Sequence, residues 1–188
     1  MPIVRYPQER ADEEIRAQAA AFEDLQWPPQ PPEKRGVFPV QPHTHVTSFL
    51  LVEDKKVTGH IAVRKAGMRH KGISYWVLGL SEVVVHPLFR NRGYGTALLR
   101  AAAGFMSKQG ADLSLFTCTP HLTAFYTKGG WSPVPGACLV GGTRRKPFRS
   151  DRLGLVTMMR LYSDKANAHS GQLRTGDLFI PLGENQLW

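Results

Sequence analysis

The sequence predicts one domain, residues 1–188, of mixed α/β (α+β) class, and three observations predict it. Residues 47–65 hold two strand-like runs separated by Asp54-Lys55, a two-residue connection of the kind that closes an antiparallel hairpin. Residues 73–105 run from a β-branched stretch through a glycine-rich turn into a helical pattern. After that helix, Leu113, Leu115 and Thr117 alternate with Ser114, Phe116 and Cys118. A strand on the far side of a helix crossover pairs parallel to the strand before it. With 188 residues, 42% of them hydrophobic and 21% charged, the chain has the size and composition of a domain with a real core.

The elements follow in order. Residues 9–26 are rich in helix formers, and Ala11, Ile15, Ala19, Phe22 and Leu25 recur at steps of four and three, which is one face of a helix. Acidic residues in its first turn suit the helix dipole. Pro28-Pro29-Gln30-Pro31-Pro32 ends it and stiffens the segment that follows. Residues 33–46 read as an irregular loop. His43 and His45 lie in it, but no third metal ligand stands nearby. Residues 47–53 and 56–65 read as strands, the second with Val57, Gly59, Ile61 and Val63 on one face and Thr58, His60 and Ala62 on the other. A polar stretch with Gly67 and Gly72 turns the chain into a third strand, 73–85.

Val83, Val84 and Val85 end that strand. Pro87 stops regular pairing because it has no N–H to donate. Arg90-Asn91-Arg92-Gly93-Tyr94-Gly95 comes next, and Tyr94, Leu98, Ala101, Ala102 and Phe105 then mark one apolar helix face. A turn that opens a helix presents free N–H groups and the positive end of the helix dipole, which together suit an anionic phosphate. Gly93 and Gly95 let the backbone approach a ligand, and Arg90 and Arg92 add charge. The third position after Gly95 is Leu98, so the dinucleotide pattern Gly-x-Gly-x-x-Gly is absent.

Further along, Thr119 can cap a short helix with Pro120 at its first position and Gly129 or Gly130 at its end, with Phe125 in the core. Gly141-Gly142 marks a turn, and residues 144–149 form a basic cluster that reads as a solvated loop. Residues 153–162 and 177–181 read as late strands.

The spacing Arg-x-x-Gly-x-Gly between Val-x-Pro and an apolar helix resembles the acetyl-CoA-binding motif of the GNAT superfamily of N-acetyltransferases. Ala124-Phe125-Tyr126, followed at the same family's interval by Gly130-Trp131, resembles a second signature of that family. The likeness covers residues 47–135, and 136–188 would complete the sheet and the acceptor site. It implies the GNAT fold: a central mixed, mostly antiparallel sheet, flanked by helices, with a parallel strand pair splayed at the acetyl-CoA site. It implies acetyl-CoA as cosubstrate and no metal, with Val83, Val84, Val85, Arg90, Asn91, Arg92, Gly93, Tyr94, Gly95 and Thr96 holding the cofactor. Gly-Trp-x-Pro, a long final segment and a final tryptophan also resemble the branch containing aminoglycoside 2'-N-acetyltransferases. In those relatives the chain end reaches the acceptor, so Trp188, with Glu184 nearby, would help bind the amine. That branch carries its glutamate one residue earlier, where this chain has Ser81. Ser81 and Glu82 are therefore both candidates at the substrate.

The chemistry needs a base and an acid. An amine attacks the thioester only when neutral, and at pH 7 an alkyl amine with a pKa of ~10.4 is almost wholly protonated. By resemblance an acidic residue before the motif takes that proton, and Glu82 is the carboxylate there. A one-residue shift along a strand turns a side chain to the other face, and a bulge restores it. The leaving thiolate needs a proton, and by resemblance Tyr126 donates it. Its usual pKa of ~10 lies above the thiol's ~8.5, so the transfer is uphill by roughly 2 kcal/mol. Main-chain N–H groups of Val83–Val85 would hold the pantetheine and the developing oxyanion. Cys118 could act as a nucleophile, although a small buried apolar role suits it better.

Composition bounds the rest. No run of 18 apolar residues could span a membrane, the N-terminal residues lack a signal peptide's apolar run, and Cys118 and Cys138 form neither a disulfide framework nor a metal spacing. A cytoplasmic protein is expected. The net charge of +9, from 24 Lys and Arg against 15 Asp and Glu, favours anionic partners. The expected partner besides acetyl-CoA is a small-molecule amine, with neither nucleic acid nor membrane; a homodimer stays open. An aminoglycoside is polycationic and calls for an acidic pocket, whereas the carboxylates of this chain gather in residues 9–24. Two other readings stand beside the enzyme: a silent coenzyme-A-binding regulator on the same fold, and a nucleic-acid module resting on the charge and on the cluster 144–149.

Overall fold

Two tight turns fix much of the strand register. Asp54 and Lys55 have φ of 47° and 61°, and Lys71 and Gly72 have φ of 46° and 83°. Positive φ at both central residues is what a twisted two-residue hairpin demands. The computed structural model describes residues 2–6, 13–28, 38, 39 and 41–188. In chain order they form β1 (Ile3–Tyr6), α1 (Glu13–Gln26), β2 (His45–Glu53), β3 (Lys56–His70), β4 (Ile73–Val85), α2 (Tyr94–Met106), β5 (Leu113–Cys118), α3 (Thr123–Thr127), β6 (Ser132–Pro133), β7 (Ala137–Gly142), β8 (Pro147–Arg149), β9 (Val156–Leu161), α4 (Asp164–Ala168), α5 (Ser170–Leu173) and β10 (Gly176–Phe179). The main sheet is mostly antiparallel with one parallel pair, and helices flank it. No helix among the described residues is long and apolar enough to cross a membrane.

These elements gather into two compact units. One holds residues 1–64 and 81–102, the other 65–80 and 103–188. In the first, β1 pairs antiparallel with β2, and β2 with β3. Ala19 and Phe22 of α1 pack with Phe38, Leu50, Val52, Val57 and Val84. Helix α2 comes close to β3 at Gly59, where an added Cβ would stand 3.0 Å from Leu98 Cδ1. Residues 57–64 of β3 are buried without a break, so this strand is covered on both faces, which an alternating pattern alone does not reveal.

Burying both faces brings polar side chains inside, and they pair. Glu23 Oε1 lies 2.7 Å from His60 Nδ1, close but poorly aligned for a hydrogen bond. His60 Nε2 lies 2.7 Å from Ser48 Oγ, and His45 Nε2 lies 2.9 Å from the same oxygen. Burial, then the charges of Arg64 and His60, push His45 down to about 3 from 6.5. A histidine whose native pKa lies below its unfolded value contributes stability above pH 6.5 and loses it as pH falls toward 3. On acidification from pH 7.5 to 4.5 the melting temperature of the wild type should fall further than that of His45→Gln. Parallel curves for the two proteins would contradict this.

In the second unit β4 and β5 run parallel, with Val77 opposite Leu113 and Leu78 opposite Ser114. β5 pairs antiparallel with β9 along its whole length, and β6 adds to β9. A second sheet has the order β10-β7-β8, with β10 parallel to β7. Trp131 is fully buried, and its indole N–H donates to Ser114 Oγ at 2.8 Å. Asp112 accepts from the Trp76 N–H at 2.8 Å and from the Ser163 hydroxyl at 2.7 Å, and pairs with Lys165 Nζ at 2.8 Å.

Several expectations need correction. The predicted helix start, 9–12 with Ala11, and most of the proline stretch and loop (29–37 and 40) lie outside the described residues. Leu25, assigned to the buried face of α1, is 65% exposed, while Glu23 is buried against His60. Strand β3 continues through Gly67 to His70, because the turn is made at Lys71-Gly72. In α2 the buried positions are Leu98, Leu99, Ala102, Ala103 and Met106. The face is rotated from the predicted Tyr94, Ala101 and Phe105, which are only half-buried. Gly141 and Gly142 end β7 rather than forming a turn. The basic cluster includes β8, where Arg149 bonds both Asp151 and Asp177.

Candidate active site

Helix α2 has no capping side chain because glycine precedes it. Its first internal bond runs from the Ala97 N–H to the Gly93 carbonyl, 3.0 Å, which leaves the N–H groups of Tyr94, Gly95 and Thr96 at the open helix end. Asn91 and Gly93 have φ of 60° and 81°, so the turn doubles back before the helix begins. An added Cβ on Gly93 would meet no atom within 4 Å, so this side of the turn faces open space. The residues from Pro87 to Phe89 form a single 3-10 turn, capped by His86 Nδ1 accepting from the Leu88 N–H. Arg90 folds back, and its Nε donates to the Val85 carbonyl at 2.9 Å. Arg92 lies over the Phe89 ring at 5.8 Å. Both arginines are exposed, so their charge stands beside an open helix N-terminus.

Glu82 lies on β4 just before this turn, with φ of 49°. An L-residue held there costs roughly 1–2 kcal/mol, and the conformation breaks the alternation of the strand in the way a bulge does. One carboxylate oxygen, Oε1, accepts from Arg64 Nη2 at 2.6 Å and from the Ser81 hydroxyl. The other oxygen, Oε2, is buried and has no hydrogen-bond partner. The two candidates at the substrate, Ser81 and Glu82, are thus joined to each other by a hydrogen bond.

The second unit carries the other predicted residues. Pro120 opens the 3-10 turn that leads into α3, but the Thr119 side chain makes no capping bond there. Tyr126 is buried, tilted against Phe116 with ring centres 4.9 Å apart and against Phe125 at 5.0 Å. Phe125, expected in the core, is only half-buried, so the helix has turned its tyrosine inward. Burial first, then the neighbouring Cys118, push the phenol above its ordinary pKa of 10.0. Burial pushes the Cys118 thiol up to about 11, which does not suit a nucleophile. Trp188 is 7% exposed. Its main-chain oxygen accepts from the Thr117 N–H at 2.8 Å and from the Thr117 hydroxyl, and its ring lies over Gly79, where any Cβ would collide with it. Glu184, expected near the amine, pairs with Lys146 at 3.0 Å.

A family model described as the acetyltransferase (GNAT) family matches residues 13–131. The chain belongs to the GNAT acetyltransferase family. No curated protein matches it. Solved structures share the fold at low identity. Escherichia coli ElaA has a TM-score of 0.57 at 12% identity over 85% of this chain and 98% of its own. The GNAT family N-acetyltransferase YhbS from Escherichia coli, solved in complex with CoA, has a TM-score of 0.52 at 15% identity over 73% of this chain and 68% of its own. A conserved protein of unknown function from Enterococcus faecalis V583 has a TM-score of 0.52 at 18% identity over 69% of this chain, which spans only 32% of that protein.

Three residues of this GNAT chain escaped the sequence reading. Arg64 is 1% exposed and reaches Ser81, Glu82 and the Gln41 carbonyl. Its signal was a charge closing a run of strand residues, since a buried guanidinium must be paired. Thr117 and Gly79, which seat Trp188, carried no signal of their own.

Proposed function

We propose that this protein transfers the acetyl group of acetyl-CoA to a primary amine of a small molecule by direct attack in a ternary complex. The observation that carries the reading is the open end of α2, with three helix N–H groups, two exposed arginines in the turn before it, and open space where a Cβ on Gly93 would point. This geometry suits a pyrophosphate, and YhbS, on a similar fold, was solved with CoA. Asn91 and Thr96 complete the turn around that anion. The amine nitrogen attacks the thioester carbon, a C–N bond forms and the C–S bond breaks. Glu82 takes the ammonium proton, directly or through water. Tyr126 gives its proton to the leaving thiolate and regains one from solvent. N–H groups of Val83–Val85 steady the pantetheine and the oxyanion. Trp188 is seated firmly enough to shape an acceptor site.

Acetyl-CoA should raise the melting temperature, since a ligand that binds only the native state stabilises it. Gly95→Val and Gly93→Val should abolish that shift while melting as cooperatively as the wild type. Undiminished shifts in both would remove the pyrophosphate assignment. A second reading, a coenzyme-A binder without turnover, draws on the upward push on Tyr126, which makes it a weaker acid. Release of free thiol with a panel of amines, aminoglycosides among them, separates the two readings.

A further inference from the structure

The first unit holds a closed ring of three side chains around one fully buried cation. Arg64 Nη2 donates to Glu82 Oε1 at 2.6 Å, and Arg64 Nε donates to Ser81 Oγ at 3.4 Å. The Ser81 hydroxyl closes the ring by donating to the same Glu82 oxygen. A third branch, Arg64 Nη1, donates to the Gln41 carbonyl at 3.2 Å. That carbonyl also accepts from the Thr44 and His45 N–H groups at 3.1 and 3.3 Å and from the Thr44 hydroxyl at 3.2 Å. Gln41 and Glu82 both hold left-handed backbone, with φ of 47° and 49°, and neither is at a hairpin turn. One guanidinium thus ties down two unfavourable backbone positions far apart in sequence.

We propose that Arg64 is the positioning residue for Glu82. It fixes the carboxylate by one oxygen, against the kink at residue 82, and leaves the other oxygen without a donor. Arginine suits this task where lysine does not, because its planar fork reaches three acceptors at fixed angles. Among the described residues, Glu82 and His45 are charged or titratable groups that face it, the latter standing opposite Arg64 on the neighbouring strand. Ser81 acts within the same ring, delivering a second donor to Oε1 so that Oε2 alone is left without a hydrogen bond. The proposal rests on Glu82 being the base, and the experiment separates the two claims.

The experiment measures steady-state thiol release and the acetyl-CoA-induced melting shift for Arg64→Lys, Arg64→Met, Glu82→Gln and the Arg64→Met/Glu82→Gln pair. Misplacing a proton acceptor by about an ångström costs on the order of 10²-fold. Arg64→Met should therefore lower kcat by roughly ten- to a hundred-fold, with the KM for acetyl-CoA and the acetyl-CoA melting shift unchanged. Arg64→Lys keeps the charge and the fold but loses the fork, so its kcat should fall while its melting temperature stays near wild type. The pair should be no slower than Glu82→Gln alone, because a positioning residue has nothing left to position. If Glu82→Gln is slow and both Arg64 variants turn over at the wild-type rate, the positioning role is overturned. Losses that multiply in the pair would overturn it too, since Arg64 would then act independently of Glu82. Wild-type rates in Glu82→Gln would instead remove the base, and the positioning role with it.

Discussion

Replacing Tyr126 with phenylalanine should lower kcat by ~10²-fold or more, the usual range for a positioned acid, and should leave the affinity for acetyl-CoA within about twofold. The phenyl ring keeps the contacts with Phe116 and Phe125, so only the hydroxyl is lost. Because burial raises the phenol's pKa, Tyr126 stays protonated throughout the neutral range. The loss should therefore be the same at pH 6.5 and pH 8.5. Stopped thiol release in single turnover measures the step directly. A Tyr126→Phe protein with wild-type kcat would assign the thiolate's proton to water.

Trp188→Ala should cost about 3–5 kcal/mol, the range for truncating a large buried aromatic side chain. For a chain of this length that lowers the melting temperature by roughly 10 °C. Gly79→Ala should also destabilise, for a different reason: its Cβ would run into the Trp188 ring. Once the ring is gone the added methyl has room, so the double variant should be no less stable than Trp188→Ala. Thermal melts of the wild type and these three variants form a double-mutant cycle. Additive losses would mean that Gly79 matters for a reason other than seating the indole.

Local rules made a good part of this molecule legible. Asp54-Lys55 announced its hairpin, Pro87 ended pairing where expected, and the helix crossover implied the parallel β4–β5 pair that the structure contains. Short strands were harder. Ile3–Tyr6 pairs with residues 48–51, a partner more than forty positions away that no local pattern reveals. Strands β7 and β10 are likewise joined across a long gap. The face of α2 was misjudged by about one position because Leu99, Ala103 and Met106 fit a helical stripe as well as Tyr94, Ala101 and Phe105 do. At the site, residue types and spacing marked the glycine-rich turn, whereas Glu82 and Tyr126 entered only through the family resemblance. Arg64, His60 and Glu23 stayed hidden because burying a charged or polar side chain becomes visible only when its partner, brought by another element, is in view.

The line of polar groups from Glu23 to His45 has a direction. A carboxylate can only accept, so the His60 proton that faces Glu23 sits on Nδ1, and a His60 carrying that single proton turns a bare Nε2 toward Ser48. The single hydroxyl proton of Ser48 is then committed to His60, and its oxygen accepts from His45 Nε2. In that arrangement the two imidazoles that share one hydroxyl carry opposite tautomers, His60 with its proton on Nδ1 and His45 on Nε2. Glutamine at position 23 would offer both a donor and an acceptor, and either orientation of the line would then be self-consistent. An acceptor-only group at position 23 thus favours one proton arrangement along the line over its reverse.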